Sequence, residues 1–328
     1  MIRWGIVGLG NMAHRFANSI QETNNAKLIG VASLNENRLK LFKENFNLTK
    51  ENTYNEYENL ISSKNIDAIY ISTLNNTHLE MIKKSSEHKK NILCEKPMAI
   101  NYDETKIASK YIKKNDIGFY EAIAYRTHVQ TKIIKDIIDQ NEIGNVISVD
   151  ANFGFKVNKV KPESRLFNKE LGGGSILDIG CYPMSFLNFL FDEKNDYKII
   201  SSKGSFASTN VDDSAELEIL INNKVSCNLK ISIKENLSNK IVIKGTKGEL
   251  LVNNPWLPEK KSTLDVRTGS SFYKKFVNSD LTIYANQIQK ISENFEKKIN
   301  SDKFAVDIFD SLHISKNLTL WSNLIKNN

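Results

Sequence analysis

The sequence predicts an α/β chain of two domains: a doubly wound parallel sheet over residues 1–122, then an α+β domain with an open, mostly antiparallel mixed sheet over residues 123–328. Three observations carry this. The chain opens on a short apolar run that breaks at Gly8-Leu9-Gly10 and passes into a helical pattern. Buried-strand and helix patterns then alternate as far as Ala122. Beyond Arg126 the character changes to alternating strands joined by Asn and Gly turns.

Ile2 to Val7 has the length of one buried strand, and Phe16, Ala17 and Ile20 repeat at helical spacing after it. Gly8 allows a tight turn between them, Gly10 lets a pyrophosphate approach the backbone, and small Ala13 lets the helix pack close. The N–H groups at the helix start, near Asn11 and Met12, would hold the anion. Glycine-rich turns also occur without a ligand, so the legible strand and helix on either side are what give this Rossmann-type pattern its weight.

Lys27 to Ser33 reads as a second buried strand. In a dinucleotide fold the end of this strand selects the cofactor, because an acid there binds the ribose 2′-hydroxyl and repels a 2′-phosphate. No acid stands at Ser33 or Leu34, whereas Ser33 and Arg38 suit a phosphate. NADP(H) is therefore favoured and NAD(H) remains open; the structural alternative is that Ser33 caps the next helix and Arg38 is solvated. Tyr54 to Ile61 is amphipathic, and Ile66 to Thr73 is a third strand running into Leu74-Asn75-Asn76-Thr77-His78. Residues at the carboxyl end of such a strand face the ligand crevice, which makes Thr73, Leu74, Asn75 and His78 candidate cofactor contacts. His78 could equally serve only the helix start.

A fourth strand, Asn91 to Cys94, ends at Glu95-Lys96-Pro97. Proline keeps the preceding residue extended and makes a cis bond available, so the Lys96 side chain is directed one way. An ammonium fixed in a crevice is a candidate acid or electrostatic catalyst, although most lysines are surface residues. A helix from about Tyr102 to Lys113 and a strand over Ile117 to Ala122 complete the first domain.

The chain has 40% hydrophobic and 25% charged residues, an ordinary globular composition. No apolar run approaches the roughly 20 residues of a membrane span. Met1 leads directly into the first strand, leaving no room for a signal peptide, and a cytoplasmic protein is expected. Cys94, Cys181 and Cys227 are far apart and the five histidines form no helical pair, so neither a disulfide framework nor a metal is expected. The formal charge of +7 comes from lysines interleaved with acids and asparagines, a pattern that argues against nucleic acid and biases the surface only mildly toward anions.

In the second half, Leu171-Gly172-Gly173-Gly174 leads into a helical pattern through Phe186, Phe189 and Leu190. Asp178 and Tyr182 are four apart, on one face of such a helix, and form either a proton-transfer pair or a buried core pair. Strands follow over Ile199–Ser205, Ser214–Ile221, Val225–Ile233, Lys240–Gly245 and Glu249–Val252, with hairpins at Asn222-Asn223 and Gly248. Helices over Tyr284–Ile299 and Phe304–Ile325 would cover one sheet face, leaving the other as the surface of a homodimer or homotetramer.

Gly8-Leu9-Gly10-Asn11-Met12-Ala13, Thr73-Leu74-Asn75 with His78, Glu95-Lys96-Pro97, and Gly172-Gly173-Gly174 with Asp178-Ile179-Gly180-Cys181-Tyr182-Pro183 occur together and in order. In this the chain resembles the glucose-fructose oxidoreductase, inositol dehydrogenase and rhizopine-catabolism (Gfo/Idh/MocA) family. Glu121-Ala122 with Tyr125-Arg126, and Arg165-Leu166-Phe167, look most like the branch holding dimeric dihydrodiol dehydrogenase and NADP-dependent xylose dehydrogenase. The resemblance implies hydride transfer between a nicotinamide and a carbinol or carbonyl carbon of a sugar, polyol or related substrate. It also implies that Lys96, Tyr182 and Asp178 are catalytic, and that Glu95 and Arg126 join the cofactor site. Lys96 and Tyr182 are interchangeable as proton donor and polarising group, with Asp178 holding the site in register. Leu74 replaces the family's usual proline, and Leu34 an arginine that often grips the 2′-phosphate. Lys156 and Arg165 are candidates to line the substrate pocket. Two rival readings share the fold: an NAD-dependent glycoside hydrolase, and a non-catalytic NAD(P)-binding protein.

Overall fold

The computed structural model describes residues 1–327 as two compact units, Met1–Thr127 with Leu281–Leu312, and His128–Asp280 with the residues from His313 onward. In chain order the first unit contains β1 (Ile2–Val7), α1 (Asn11–Ser19), β2 (Ala26–Ala32), α2 (Glu36–Asn45), β3 (Thr53–Tyr54), α3 (Tyr57–Ile61), β4 (Ala68–Ile71), α4 (His78–Glu87), β5 (Asn91–Glu95), α5 (Tyr102–Asn115) and β6 (Phe119–Ala122). The second contains α6 (Val129–Asp139), β7 (Val146–Gly154), α7 (Cys181–Phe191), β8 (Tyr197–Phe206), β9 (Asp212–Ile221), β10 (Val225–Ser232), β11 (Lys240–Gly245), β12 (Gly248–Asn253), β13 (Lys261–Thr268) and β14 (Ser271–Asn278). Helix α8 (Ile283–Glu296) belongs to the first unit, and α9 (Ile308–Asn327) begins in it.

The six strands of the first unit are all parallel, in the order β3-β2-β1-β4-β5-β6. Alternation with period two sends their side chains into two cores. Trp4, Ile6, Tyr70, Leu93 and Tyr120 pack toward Phe16 of α1 and Ile288, Ile291 and Phe295 of α8. Val7, Ile69, Ile71, Ile92 and Cys94 pack toward Leu60 of α3, Ile82 of α4 and Ala108 of α5. From sequence the first domain ends at 122 and α8 falls in the second; instead the returning segment completes the layer beside α1. The Tyr120 ring packs on Phe295 of that segment with centroids 5.7 Å apart, and Gly118 is kept small by Phe295, whose ring carbon would lie 2.7 Å from an added Cβ. The strand order reverses between β1 and β4, so the crevice expected of this topology opens at their carboxyl ends.

The second unit is an eight-stranded sheet in the order β14-β13-β12-β11-β7-β10-β9-β8, antiparallel except where β7 meets β10. Asn222 and Asn223 both take positive φ, 52° and 53°, in the β9–β10 hairpin turn, as the primed turns require. One face is covered by α7 and α9: Gly180 at the start of α7 lies against Leu318 and Trp321, and Ile325 closes over Gly204. The other face carries Asp150, Asn152, Glu216, Glu218, Asn228 and Lys230 around an open groove of about 590 Å³.

Strands β3, β13 and β14 have no counterpart in the sequence expectations. Two-residue β3 is too short for a period to register. The β13 signal was present, since Leu264 and Val266 are buried and alternate with Asp265 and Arg267. No helix among the described residues is long and apolar enough to cross a membrane.

Candidate active site

The crevice of the first unit is built from four turns at strand ends. After β1, Gly8 takes φ +89°, and a Cβ there would meet Thr73 Cγ2 at 2.8 Å and the Ser72 carbonyl oxygen at 2.9 Å. Only glycine fits both the angle and the space. Ser72 Oγ donates to the Gly8 carbonyl at 2.8 Å, tying the β1 turn to the β4 turn. Gly10 differs: a Cβ there would meet nothing within 4 Å, so its surroundings are open to a ligand. Gly10 is also the N-cap of α1, which has no side-chain cap and no acid in its first turn. The N–H groups about Asn11 and Met12 therefore face no competing carboxylate, and the cradle fits a pyrophosphate.

At the end of β2, buried Ser33 accepts a hydrogen bond on Oγ from the Asn35 N–H at 3.2 Å, and Asn35 Oδ1 caps α2 by accepting from the Arg38 N–H at 3.0 Å. The cap of this helix is Asn35. Arg38 stands exposed on the first turn, and Leu34 is 68% exposed.

After β4, Leu74 is exposed while Asn75 is buried in a single 3-10 turn, and Thr77 Oγ donates to the Leu74 carbonyl at 2.7 Å. His78 is wholly buried, with Nδ1 2.9 Å from the Pro97 carbonyl oxygen and Nε2 3.3 Å from that of Thr73. Both partners are carbonyls that only accept, and a neutral ring has one N–H, so it donates to one of them; the shorter contact, to Pro97, is the better placed. Burial lowers the imidazole to about 4, keeping it neutral. Expected as a cofactor contact, the His78 ring joins the two crevice loops, with both nitrogens turned to backbone.

The turn after β5 holds Lys96, which is half-buried and followed by a cis peptide bond to Pro97. Three buried side chains brace the turn around it, two of them at backbone atoms. Glu95 accepts from the Tyr70 hydroxyl; burial and the neighbouring Glu95 carboxylate push that phenol well above its usual value, so it keeps its proton. His78 meets the Pro97 carbonyl, and Glu121 Oε1 accepts from the Met98 N–H at 2.9 Å. Glu121 Oε2 accepts from Ser311 Oγ at 2.7 Å, and burial raises this carboxyl to about 7. Tyr70 and Glu121 were not among the residues expected from sequence. A carboxylate inside the apolar strand Phe119-Tyr120-Glu121-Ala122 was the available signal for the latter.

Arg126 is 1% exposed, and its Nη2 donates to the Lys303 carbonyl at 2.7 Å and to Asp310 Oδ2 at 3.1 Å. Expected beside the cofactor, it braces the returning segment of its own unit.

In the second unit, Gly174 takes φ +112°, and Asp212 accepts from Ser175 Oγ and the Ile176 N–H at 2.6 and 2.7 Å. Ile176–Gly180 then winds as a π-turn before α7. The four-residue spacing of Asp178 and Tyr182 therefore does not carry the simple α-helical meaning expected of it. Asp178 is nearly buried and pairs with Arg165 Nη1 at 2.8 Å. Half-buried Tyr182 packs edge-on against Phe153, centroids 5.1 Å apart, and against Trp256 at 6.2 Å. Arg165, expected to line a substrate pocket, places its head group on Asp178; Lys156 is exposed after β7, where its N–H donates to Asn236 Oδ1 at 2.9 Å.

Strand order and glycine cradle define a dinucleotide-binding α/β protein. Residues 2–121 match a family described as GFO/IDH/MocA, oxidoreductase family, NAD-binding Rossmann fold, and residues 131–251 match the GFO/IDH/MocA C-terminal domain. The chain is 31% identical to a trans-1,2-dihydrobenzene-1,2-diol dehydrogenase of Xenopus tropicalis over 78% of this chain and 77% of the relative. The mouse enzyme of that name is 28% identical over 88% and 87%. Two solved structures share the fold: an aldose-aldose oxidoreductase from Caulobacter crescentus complexed with glycerol, with TM-score 0.89, 18% identity and 99% and 98% coverage; and a 3-ketoreductase from Actinomadura kijaniata in complex with NADP and TDP-benzene, with TM-score 0.88, 19% identity and 98% and 97% coverage. The chain belongs to the Gfo/Idh/MocA family of NAD(P)-dependent oxidoreductases.

Proposed function

We propose that this protein moves a hydride between C4 of NADP(H) and a carbinol or carbonyl carbon of a sugar, polyol or related hydroxylated substrate, with Lys96 and Tyr182 acting on the same oxygen. The observation that carries this is the lysine turn: it is held at the Pro97 carbonyl, at the Met98 N–H and through the Glu95 side chain, at the same sheet end as the open Gly10 cradle. The dinucleotide supplies or takes up the hydride when bound. The chain's part is to manage the charge that develops on the substrate oxygen. An unperturbed tyrosine near 10 is a poor acid at neutral pH, and an ammonium beside it lowers that value and polarises the oxygen. Tyr182 is then the proton donor or acceptor and Lys96 the electrostatic partner, with the reverse assignment tested by the same variants. Asp178, fixed by Arg165, keeps the aromatic pocket around Tyr182 in register.

The absence of an acid at Ser33 or Leu34 and the exposed Arg38 favour NADP(H) over NAD(H). The polar open face of the second unit, with Lys230 3.0 Å from Glu216 and Asn228 2.8 Å from Asp150, carries both signs of charge, which suits an isologous pairing with a second copy of this chain in a homodimer or homotetramer. Sedimentation equilibrium tests it. Three buried free cysteines fit a reducing compartment, which supports a cytoplasmic location.

The function is tested by a panel of aldoses, inositols, keto-sugars and dicarbonyls offered with NADH and with NADPH, read at the nicotinamide absorbance band. Turnover of a hydroxylated or carbonyl substrate, faster with NADPH, is expected. Release of sugar from glycosides with no net change in absorbance, or cofactor binding with no turnover across the panel, would overturn the reading.

A further inference from the structure

A buried carboxyl group from a neighbouring strand of the first unit touches the lysine turn directly. Glu121 is 3% exposed at the carboxyl end of β6, in register with Cys94 of β5. Its backbone is occupied separately: the Glu121 N–H donates to the Val306 carbonyl at 2.8 Å. The side chain is thus free of any role in strand pairing, yet it receives the Met98 N–H and the Ser311 hydroxyl, one on each oxygen. Met98 is two residues from Lys96. An amide would accept from the Met98 N–H and donate to a rotated Ser311 hydroxyl without the cost of burying a charge, so the carboxylate needs a further reason.

The charged and titratable groups around Glu121 supply it. From the turn after β5, the Lys96 ammonium attracts the carboxylate; from α9, Asp310 repels it, while being itself paired to Arg126. Cys94 on β5 is pushed well up by burial and by Glu121 and remains a thiol. Ser311 is neutral. Lys96 is thus a cation that draws Glu121 toward its charged form, a smaller influence than burial and the two hydrogen bonds.

We propose that Glu121 is the positioning residue of Lys96: it anchors the lysine turn through the Met98 N–H and supplies the negative charge that keeps the Lys96 side chain an ammonium. This rests on the reading of Lys96 as the group beside the reacting oxygen. Coupling between two sites is reciprocal, so each group shifts the titration of the other by the same amount.

The test reads that coupling from both ends, without substrate. The pH dependence of Lys96 acylation by acetic anhydride, followed by mass spectrometry, gives the midpoint of the amine in the protein and in Glu121→Gln. The glutamine keeps an oxygen for Met98 and an amide for Ser311 but removes the charge. The Lys96 midpoint is expected to fall, the direction for loss of a neighbouring opposite charge. Ser311→Ala, which loosens the same packing but leaves the charge, is expected to stay at the wild-type midpoint. In the reverse direction, carbon-13 NMR of labelled glutamate should find the Glu121 midpoint moved up by the same amount in Lys96→Met, and this arm decides the matter should Glu121→Gln fail to fold. The alkaline limb of kcat/KM should move down in Glu121→Gln with the amine. Unchanged midpoints in both directions, or equal shifts in Glu121→Gln and Ser311→Ala, would overturn the proposal. Undiminished turnover by Lys96→Met would instead overturn the catalytic reading while leaving the coupling standing.

Discussion

Asp178 and Arg165 form a 2.8 Å ion pair in which the carboxylate is nearly buried and the guanidinium is half exposed. The pair crosses from the loop before the three glycines to the π-turn before α7, so each side chain fixes the other. If they act as one unit, removing either should cost most of what removing both costs. In a double-mutant cycle of Arg165→Ala and Asp178→Asn, kcat/KM of the double variant is expected to lie about tenfold above the value that multiplies the two single losses, a coupling of about 1.4 kcal/mol. Strictly multiplicative losses would mean that Arg165 works separately, on the substrate.

The two crevice glycines should respond oppositely. Gly8→Ala places a Cβ 2.8 Å from Thr73 Cγ2 at φ +89°. A loss of about 2 kcal/mol or more in denaturant unfolding is expected, from strain and overpacking together. Gly10→Ala meets nothing and has φ −91°, so stability should change by less than about 0.5 kcal/mol. Its cost should appear as dinucleotide affinity, weakened roughly tenfold or more by fluorescence titration, because the methyl occupies ligand space.

His78 gives a pH signature of stability. An unfolded histidine takes its proton near 6.5, whereas His78 does so at about 4. Between those values the unfolded chain binds the proton and the folded chain does not, so stability present above pH 6.5 is lost as pH falls toward 4. The size is about 3 kcal/mol for this group. His128 is lowered in the same direction by burial, so the group is isolated by difference. His78→Asn should be less stable than wild type at pH 7, and the gap should narrow by about 3 kcal/mol at pH 4 in urea melts. A gap independent of pH would show that the neutral imidazole is not the group that titrates.

Cofactor choice is tested at α2. Arg38 stands exposed on the first turn of that helix, beyond Ser33 and the capping Asn35. Arg38→Ala should raise Kd for NADPH about tenfold, the value of one charge-assisted phosphate contact, and leave NADH within about twofold. Equal weakening of both would remove the argument for a 2′-phosphate contact.

Much of the first unit was legible because a buried parallel strand followed by a helix writes two periods into the sequence, and the strand-end motifs fall at the switch point of the sheet. What escaped is instructive. The return of α8 to the first unit depends on Phe295 meeting Trp4 and Gly118, contacts between residues far apart in sequence that no local pattern encodes. The π-turn over 176–180 replaced a plain helix because period counting assumes 3.6 residues throughout. Arg126 and His78 were recognisable as polar residues at the site's end of the sheet, but whether such a residue faces a ligand or the backbone behind it is decided by packing. Glu121 was readable as an acid in an apolar strand, and its meaning came only with Met98 and Ser311 around it.

The central claim is that Lys96 acts on the reacting oxygen while the dinucleotide is held by the β1 and β4 turns. Single-turnover reduction by Lys96→Met, mixed with saturating NADPH and the best substrate of the panel, tests it most directly. Cofactor Kd within about threefold of wild type and a hydride-transfer rate lower by roughly a thousandfold are expected, as for loss of a positioned acid or charge. A rate equal to wild type, or a dinucleotide that no longer binds, would contradict the account.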